Sequence, residues 1–236
     1  MKNNLVNVRV WGDLACFTRS ELKIERVSYP IITPSAARGI LEAIFWEPEM
    51  FYLIDSIRVI KKGKWTRFKR NEVQSVVSLA KPTPIIAGAG DKKYVDSTPR
   101  NTLALSGIEY IITAEVHLTE KAKERNLNKY VAEIERRARK GKCFHRPSFG
   151  CREFIADFDW VEDAELTLKH RLNETGEKFW TNDFGLMLYD VFSYKKRNKG
   201  ISIEAMSSFF HAKVENSIMD CNPKRVCIIE QVGGES

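Results

Sequence analysis

The chain has 236 residues, of which 43% are apolar and 29% are charged, proportions that are typical of a folded globular protein with its own hydrophobic core. Lysine and arginine outnumber aspartate and glutamate by 38 to 31, which gives a formal net charge of +7. No apolar run approaches the ~20 residues of a membrane-spanning helix, the N-terminal residues lack the hydrophobic stretch of a signal peptide, and we therefore expect a cytoplasmic protein.

The cysteines and histidines favour neither a disulfide framework nor a metal site. The five cysteines are an odd number, they include no CxxC pair, and a chain of this length can build a core without cross-links. The four histidines form no HExxH or HxxxH motif, which are common spacings of zinc ligands. We therefore expect reduced thiols, no metal and no cofactor.

The N-terminal third of the chain predicts one helix flanked by strands. Thr33 and Pro34 are typical of a helix start, apolar residues then recur every three or four positions, and Pro48 ends the pattern. These signals predict a helix over 34–46. Alternating or β-rich segments predict strands over 5–11, 51–60 and 65–69, the last two joined by a turn over 61–64.

The rest of the chain predicts a loop, a strand, a basic helix and then short strands. Three of the eight prolines fall within 81–107, which predicts a long loop. An alternating run predicts a strand over 108–118, and an apolar stripe with an asparagine cap, Asn126 or Asn128, predicts a helix over 128–140. Shorter segments predict strands over 151–158, 186–192, 209–214 and 227–229.

The order of these elements indicates an α+β protein. Once the strand over 151–158 is included, the N-terminal part approaches a β-α-β-β-α-β arrangement with one strand too many. The short C-terminal segments suggest a small antiparallel sheet. We therefore predict two domains, residues 1–155 and residues 156–236.

Basic residues are concentrated in two segments. Residues 119–152 hold eleven lysines and arginines against four glutamates, an excess that equals that of the whole chain. Residues 61–70 hold six basic residues, no acidic residue and two aromatic residues, Trp65 and Phe68. Localised positive charge with interleaved aromatics suits phosphates and stacked bases, so we favour a nucleic-acid partner. The alternatives are a solvated helix face and an ordinary cationic hairpin; a membrane partner is disfavoured because neither segment has a long apolar helical face.

Several short motifs occur in a fixed order between residue 6 and about residue 215. They are Val10-Trp11-Gly12-Asp13, Ala15-Cys16-Phe17-Thr18-Arg19, Glu25-Arg26-Val27-Ser28-Tyr29-Pro30, Thr33-Pro34-Ser35-Ala36-Ala37-Arg38-Gly39-Ile40-Leu41-Glu42-Ala43-Ile44, Arg70-Asn71-Glu72-Val73 and Gly150-Cys151-Arg152-Glu153-Phe154. Together they resemble the CRISPR-associated Cas-five (Cas5) family in its type I-C (Dvulg) form. The resemblance implies a ferredoxin-like (RRM-like) N-terminal domain followed by a small C-terminal antiparallel β-sheet.

The resemblance also implies a function. Proteins of this family bind the hairpin of the CRISPR repeat, cleave the precursor transcript without a metal, and remain on the 5′ handle of the guide RNA in a Cascade-type effector. The implied partners are therefore CRISPR repeat RNA and the other type I-C effector subunits. The implied active site has a tyrosine near the end of the first helix and a Lys-His pair at the start of the second, which fall here on Phe45 and on Lys129-Tyr130.

These residue types define the candidate catalytic roles. Metal-free cleavage by the 2′-hydroxyl needs a base, an acid and a cation near the charged phosphorane. Lys129 can supply the cation, assisted by the positive end of the second helix. Tyr130 can handle a proton if a cationic neighbour such as Lys129 lowers its pKa. Phe45 has no proton to exchange, so its predicted role is packing or stacking.

Two histidines and ten further residues complete the candidate site. His145 is an alternative acid or base, since an imidazole among basic residues can exchange a proton near neutral pH, and His117 is a weaker candidate. For the RNA we predict nine cations and one aromatic residue as ligands. They are Arg38, Lys61, Lys62, Lys64, Trp65, Arg67, Arg70, Arg136, Arg137 and Arg139.

Two other functions are consistent with the same residues. Phe45 and Tyr130 also suit a subunit that grips the RNA handle without cutting it. Phosphate contacts by themselves do not distinguish RNA from duplex DNA, so nonspecific binding of duplex DNA is the third possibility.

Overall fold

A computed structural model of the chain describes residues 4–22, 25–73, 97–192 and 206–230. Within these ranges the fold is mixed α/β, with ten strands in one large sheet and three α-helices. The strands are β1 (Leu5–Ala15), β2 (Arg26–Val27), β3 (Met50–Lys61), β4 (Lys64–Val73), β5 (Ser97–Leu118), β6 (Asp157–Trp160), β7 (Asn182–Asp190), β8 (Ser208–Glu215), β9 (Ile218–Asp220) and β10 (Ile228–Glu230). The helices are α1 (Pro34–Ile44), α2 (Leu127–Arg139) and α3 (Ala164–Thr175), and a 3-10 turn covers Glu120–Ala122. None of the described helices is long and apolar enough to span a membrane.

The centre of the sheet consists of four antiparallel strands in the order β6-β1-β5-β3. The long strand β5 holds them together, because its second half lies between β1 and β3 and its first half pairs with β4 and β2. Beyond β3 the sheet continues through β9 to β8, which also pairs with β7 and β10. The C-terminal strands therefore extend the main sheet instead of forming a separate one. The division into domains 1–155 and 156–236 stays a prediction.

Helices α1 and α2 cover one face of this sheet. Buried residues at alternate positions of β5, such as Tyr110 and Ile112, belong to the same core as Ile40 of α1 and Ile134 of α2. The intervening Ile111 faces the opposite side, where it packs with α3. The sheet therefore separates the layer of α1 and α2 from α3.

Both predicted helices are confirmed, each within two residues of its predicted ends. Thr33 caps α1 by accepting a hydrogen bond from the backbone amide of Ala36 at 3.2 Å. Asn126 caps α2 in the same way, by accepting from the amide of Asn128 at 3.1 Å. These side chains satisfy amides that have no partner inside the helix, and they fix where each helix begins.

Two predicted segments differ from the structure. The loop predicted over 81–107 is wrong for residues 97–107, which form the first half of β5, and residues 81–96 lie outside the described residues. Proline and glycine favour a loop locally, but β4 supplies a hydrogen-bonding partner along this whole stretch. The strand predicted over 151–158 is confined to β6, because the preceding residues form a turn in which the Phe154 amide donates to the Cys151 carbonyl.

Helix α3 is not anticipated by the sequence patterns. Its buried positions are only Ala164, Leu168 and Leu172, a narrow stripe on an otherwise polar helix. Asp163 caps it by accepting hydrogen bonds from two backbone amides at 2.9 Å. The cap and the contact with the sheet stabilise a helix whose apolar periodicity is weak.

The segment 143–152, which follows α2, is held tightly against α1 and β1. The amide of Phe144 donates to the carbonyl of Ala43 at 3.0 Å. Gly150, with a φ of +86°, approaches β1 so closely that a Cβ atom there would lie 2.0 Å from the carbonyl oxygen of Cys16. Only glycine fits this position, so the segment has a fixed place on the molecule.

Two buried thiols meet where this segment contacts the end of β1, that of Cys151 in the segment and that of Cys16, which follows β1. The Arg26 guanidinium donates a hydrogen bond to the Cys151 sulfur at 3.4 Å, and the Thr18 hydroxyl lies 3.6 Å from the Cys16 sulfur. The hydrogen bond from the Cys16 thiol, reinforced by Arg26, lowers the pKa of Cys151 to about 6 in spite of its burial. All five cysteines are free thiols.

Candidate nucleic-acid interface

The end of α1 and the start of α2 bring the three candidate catalytic positions together. The rings of Phe45 and Tyr130 lie 6.5 Å apart between centroids and are tilted by 33°. Both side chains are buried in the main core. Lys129 precedes Tyr130 in α2 and is exposed, and no carboxylate pairs with it in the part of the chain that the structure describes. We call Phe45, Lys129 and Tyr130 the α1–α2 cluster.

The hydroxyl of Tyr130 donates a hydrogen bond to Glu49, whose carboxylate also pairs with Arg125 at 3.1 Å. This hydrogen bond, together with burial, raises the pKa of Tyr130 above its ordinary value. Lys129 therefore does not lower the pKa of Tyr130 as expected, because the negatively charged carboxylate of Glu49 faces the hydroxyl. Tyr130 stays protonated at neutral pH. Glu49 lies just before β3, and no sequence spacing connects it with Tyr130.

An open groove runs along the outer face of α1. It consists of two adjoining clefts of about 550 and 500 Å³, both bordered by Glu42 and His145. The segment 143–152 forms the opposite wall, and we call the feature the α1 groove. Phe45 lines the larger cleft, with the Arg137 guanidinium 5.0 Å from the centre of its ring. Phe45 is therefore shared by the groove and the α1–α2 cluster, and His145 lines the same cleft as Phe45.

Two exposed aromatic side chains border the larger cleft. Trp46 is 48% exposed and Phe144 is 73% exposed. The Phe144 ring contacts the His145 imidazole, with 4.4 Å between centroids, and the His145 amide donates to the Ala43 carbonyl at 3.0 Å. Neither Trp46 nor Phe144 was predicted from the sequence as a functional residue. The sequence did contain one signal for them, since Trp46 directly follows the candidate Phe45 and Phe144 directly precedes the candidate His145.

The three arginines of α2 are paired with carboxylates of the same helix. Arg136 and Arg137 share Glu133, at 2.7 and 2.8 Å, and their hydrogen bonds lower the pKa of Glu133 to about 2. Arg139 pairs with Glu135 at 2.9 Å. Exposed ion pairs of this kind contribute little stability, so phosphate can still compete for these arginines. The helix nevertheless offers less free positive charge than its sequence indicates.

Arg38 is not available to bind phosphate, contrary to the prediction. Its guanidinium is buried, donates two hydrogen bonds to Asp190 of β7 at 2.8 and 2.9 Å, and donates one to Glu42 at 2.6 Å. A buried guanidinium needs such partners because an unpaired buried charge is strongly destabilising. Arg38 therefore joins α1 to β7.

The hairpin of β3 and β4 presents a second basic area, which we call the hairpin surface. Its exposed members are Lys64, Trp65, Arg67 and Lys69. None of these three cations pairs with a carboxylate within the described ranges. Phe68 packs edge-on against Phe154, with 6.1 Å between ring centroids, and side chains alternate along a strand. The odd-numbered members of the hairpin surface therefore face away from Phe154 and the segment 143–152.

The other three hairpin cations already have partners. They are Lys61 with Glu109 at 3.9 Å, Lys62 over the Trp180 ring at 5.5 Å, and Arg70 with Glu72 at 3.0 Å. The ten predicted RNA ligands therefore do not form one surface. Arg137 lines the α1 groove, whereas Arg139 lies over the ring of Trp160 in β6 at 5.8 Å. The hairpin surface lines neither cleft of the groove, and Arg38 is buried.

The weaker candidate, His117, is occupied by other contacts. Its ring stacks on Phe51 with 5.3 Å between centroids, and its Nε2 atom lies 2.7 Å from Glu115. Among the residues that the structure describes, no group of three or more His, Cys, Asp and Glu side chains is arranged to hold a metal ion.

Comparison with known proteins connects these features to one family. The sequence profile of the CRISPR-associated Cas5 proteins, in its Cas5d form, matches residues 5–222. Two curated relatives named CRISPR pre-crRNA endoribonuclease Cas5d, from Mannheimia succiniciproducens and Thermus thermophilus, are each 36% identical over 230 residues. The alignments cover 93% of this chain and 96% of the first relative, and 91% of this chain and 90% of the second.

Two solved structures have a similar fold. A CRISPR-associated protein superposes with a TM-score of 0.64 and 21% identity, over 97% of this chain and 96% of that one. A protein from Streptococcus mutans superposes with a TM-score of 0.61 and 22% identity, over 97% of both chains. The likeness to these two structures is one of fold. From the family profile and the curated relatives it follows that the chain belongs to the CRISPR-associated Cas5 family, in its Cas5d form.

Proposed function

We propose that this protein is a metal-independent endoribonuclease that cleaves precursor CRISPR RNA at the repeat hairpin and retains the 5′ handle within a type I-C effector complex. The observation that carries the proposal is the 36% identity to two proteins named CRISPR pre-crRNA endoribonuclease, over more than nine tenths of this chain. The basic surfaces support an RNA partner, because backbone phosphates supply much of the affinity for nucleic acids.

The proposed reaction is attack of a 2′-hydroxyl on the adjacent phosphate. A bond forms between the 2′-oxygen and phosphorus, the bond from phosphorus to the 5′-oxygen breaks, and the products are a 2′,3′-cyclic phosphate and a 5′-hydroxyl. A base takes the proton of the 2′-hydroxyl, and an acid gives a proton to the departing 5′-oxygen. The atoms and charges of this step balance without a redox partner.

Lys129 and Tyr130 carry the main roles in this proposal. The Lys129 ammonium stabilises the phosphorane, because it is exposed at the N-terminal end of α2, where the helix dipole also favours negative charge. The Tyr130 oxygen accepts the proton of the 2′-hydroxyl while the phenolic proton moves to Glu49. This relay suits a raised pKa, because Tyr130 does not need to exist as a free phenolate. Phe45 packs beside the relay and fixes the ring of Tyr130.

His145 is the alternative proton carrier. Its imidazole is exposed in the α1 groove, in the cleft that Phe45 also lines. An imidazole can give a proton to the 5′-oxygen near neutral pH. We therefore assign to His145 the role of general acid, and to Tyr130 and Glu49 that of the base.

We also infer that the N-terminal part has a ferredoxin-like (RRM-like) fold. The elements β1, α1, β3, β5, α2 and β6 follow one another as β-α-β-β-α-β, and their sheet order of β6-β1-β5-β3 is fully antiparallel. Strands β2 and β4 are additions at the first half of β5. This arrangement supports placing the RNA-processing residues in the layer of α1 and α2.

The direct test is incubation of the purified protein with its own repeat RNA in the presence of EDTA. We expect one cut that leaves a 2′,3′-cyclic phosphate, is unaffected by EDTA, and is lost in Lys129→Ala. RNA with a 2′-deoxynucleotide at the cleaved position is the matched substrate control, which should bind and stay intact. Repeat RNA that remains intact at high protein concentration would reject the proposal.

A second candidate function is binding of the RNA handle without cleavage. The observation that favours it is the pair Phe45 and Tyr130, which stand where the family resemblance implies a tyrosine and a histidine. Binding would then persist without EDTA-resistant cleavage, and Lys129→Ala would weaken affinity alone. Competition with random duplex DNA at moderate salt separates a third possibility, since equal displacement by hairpin and duplex indicates nonspecific DNA binding.

A further inference from the structure

We propose that Arg125 is a further catalytic residue, whose guanidinium binds the scissile phosphate and stabilises the phosphorane beside the hydroxyl of Tyr130. This inference rests on the proposed function, because it adds a residue to the proposed reaction. Arg125 lies between the 3-10 turn and α2. It is not among the RNA ligands predicted from the sequence or the active-site residues that the family resemblance implies.

The first support is the position of Arg125 beside the proton relay. Its Nη2 atom lies 3.1 Å from Oε1 of Glu49, and the other carboxylate oxygen, Oε2, accepts the hydrogen bond of the Tyr130 hydroxyl. Arg125 and Tyr130 therefore contact the two oxygens of one carboxylate. Because the Tyr130 oxygen accepts the proton of the 2′-hydroxyl in the proposed reaction, the phosphate next to that hydroxyl comes close to the guanidinium.

The second support is the capacity of the Arg125 side chain for a further partner. A guanidinium has five N–H donors, so an ion pair with one carboxylate leaves donors for the oxygens of a phosphate. The side chain is 65% exposed, and RNA can therefore contact it without any rearrangement of the core. Its backbone is held in place, because the Arg125 amide donates to the Ala122 carbonyl at 2.9 Å and the next residue, Asn126, caps α2. A cation that is positioned in advance stabilises a charged transition state most effectively.

The third support is the charge around the Tyr130 hydroxyl. The hydrogen bond to Glu49 and burial raise the pKa of Tyr130, and the charge of Glu47 adds to this rise. The charge of Arg125 opposes it. Two carboxylates therefore act on the place where the phosphate has to enter, and like charges repel. Lys129 of the α1–α2 cluster supplies one positive charge, and Arg125 supplies the second that balances the two carboxylates.

The test measures single-turnover cleavage of the repeat RNA by Arg125→Gln. We expect a rate about 100-fold lower than that of the unsubstituted protein, the usual effect of removing one donor to a charged transition state. Arg125→Lys keeps the charge without the fork of donors and should recover part of the loss. Lys123→Gln is the matched control, because Lys123 is exposed and has no carboxylate partner among the described residues, and it should cleave at the unsubstituted rate.

A double substitution separates contact with the phosphate from a role that acts only through Glu49. In the Glu49→Gln background, Arg125→Gln should still lower the cleavage rate by about tenfold or more, since a group that contacts the phosphate does not need the carboxylate for its effect. An unchanged rate in that background would overturn the inference. It would show that Arg125 acts only by orienting Glu49.

Binding provides a readout that does not depend on cleavage. Two RNAs carry a 2′-deoxynucleotide at the cleaved position, and in one of them an uncharged methylphosphonate replaces the phosphate that would be cleaved. The unsubstituted protein should bind the methylphosphonate RNA more weakly than the phosphate RNA. Arg125→Gln should discriminate between the two by a factor that is smaller by about threefold or more. Equal discrimination by both proteins would show that Arg125 does not contact this phosphate.

Failure of the proposed function has a different outcome, because the unsubstituted protein would then leave the repeat RNA intact. If the unsubstituted protein cleaves the RNA and Arg125→Gln cleaves it at the same rate, only the inference on Arg125 is lost.

Discussion

The hydroxyl of Tyr130 points at Glu49, and this contact decides which proton transfer the residue can perform. A phenol that acts as a free base needs a low pKa, whereas a neighbouring carboxylate raises it. Tyr130 is therefore suited to pass a proton on, and in the proposed relay Glu49 receives it. The lysine next to it in sequence does not reverse this effect.

The first prediction concerns this relay. Glu49→Gln and Tyr130→Phe each keep the size of the side chain and remove one member of the proton path, so we expect each to lower the single-turnover cleavage rate by about 100-fold or more. The affinity for uncleavable repeat RNA should change less than about threefold. Glu47→Gln, two residues away, is the matched control and should cleave normally. Equal rates for Glu49→Gln and Glu47→Gln would exclude Glu49 as the acceptor.

The second prediction concerns the two buried thiols of Cys16 and Cys151. Between about pH 6 and pH 9 the unfolded chain keeps the Cys151 proton and the folded chain releases it, so this group adds stability as the pH rises. That contribution is complete above pH 9 and is lost as the pH falls through about 6. Urea unfolding under reducing conditions at pH 6 and pH 8 should therefore show a larger increase for the natural sequence than for Cys151→Ser. Cys227→Ser, at an exposed thiol, should behave like the natural sequence, and an identical increase in all three proteins would contradict the assignment.

At the scale of elements, α1 is fixed at its start and in its middle by different means. Its start is set by the Thr33 cap, and Arg38 ties its middle to β7 through Asp190. Its end passes directly into Phe45 and the α1 groove. The helix α1 both packs in the core and lines the groove. We therefore expect loss of the ion pair between Arg38 and Asp190 to affect the stability of the fold more directly than the cleavage reaction.

The third prediction follows from that anchor. Arg38→Ala leaves Asp190 buried without its partner, and we expect it to lower the free energy of unfolding by about 3–5 kcal/mol. Arg67→Ala, at an exposed arginine of the hairpin surface, should change stability by less than about 0.5 kcal/mol. Chemical unfolding of the two variants makes the comparison. Replacing both partners, as Arg38→Met with Asp190→Leu, should recover much of the loss, and a stable Arg38→Ala protein would show that Asp190 finds another partner.

The elements were predictable where a local signal sets them. The caps at Thr33 and Asn126 and the alternation in β1 are local, and α1, α2 and β1 lie where they were predicted. The first half of β5 was missed because its strand conformation depends on β4, a partner that no local pattern reveals. Helix α3 was missed because its apolar stripe is narrow.

The candidate site was predictable only in part. Lys129, Tyr130 and Phe45 were found through the family resemblance, and the structure brings them together. Glu49 could not be found from sequence, since its contact with Tyr130 joins residues that are 81 positions apart. Arg38 was assigned to RNA because it is basic, and its burial against Asp190 depends on tertiary packing that composition does not encode.

At the scale of the whole molecule, the positive charge is divided between two areas. The arginines of α2 are held by Glu133 and Glu135, whereas the cations of the hairpin surface are free of carboxylates in the described residues. An unpaired lysine or arginine releases the counterions of an RNA phosphate when it binds that phosphate. A paired arginine also has to give up its carboxylate, so that one anion is exchanged for another. The two areas therefore differ in how salt affects their contribution to binding.

The fourth prediction uses this difference. In a plot of log affinity against log salt concentration for uncleavable repeat RNA, Arg67→Ala and Lys64→Ala should each reduce the slope by about one. Arg136→Ala should reduce it by clearly less, because Glu133 already neutralises this side chain. Titrations at three or more salt concentrations provide the slopes. The same reduction for Arg67→Ala and Arg136→Ala would mean that RNA displaces the glutamate completely.

The pairing of β9 with β3 has a consequence for how the protein is made. Residues Ser56 to Arg58 find their second neighbouring strand only in residues 218–220, near the end of the chain. During synthesis the outer edge of β3 therefore stays unpaired until residues 218–220 have been translated and have left the ribosome. A premature stop codon after α3 would leave that border permanently uncovered, and the shortened product should associate through it and be removed by quality control instead of persisting as a smaller active enzyme.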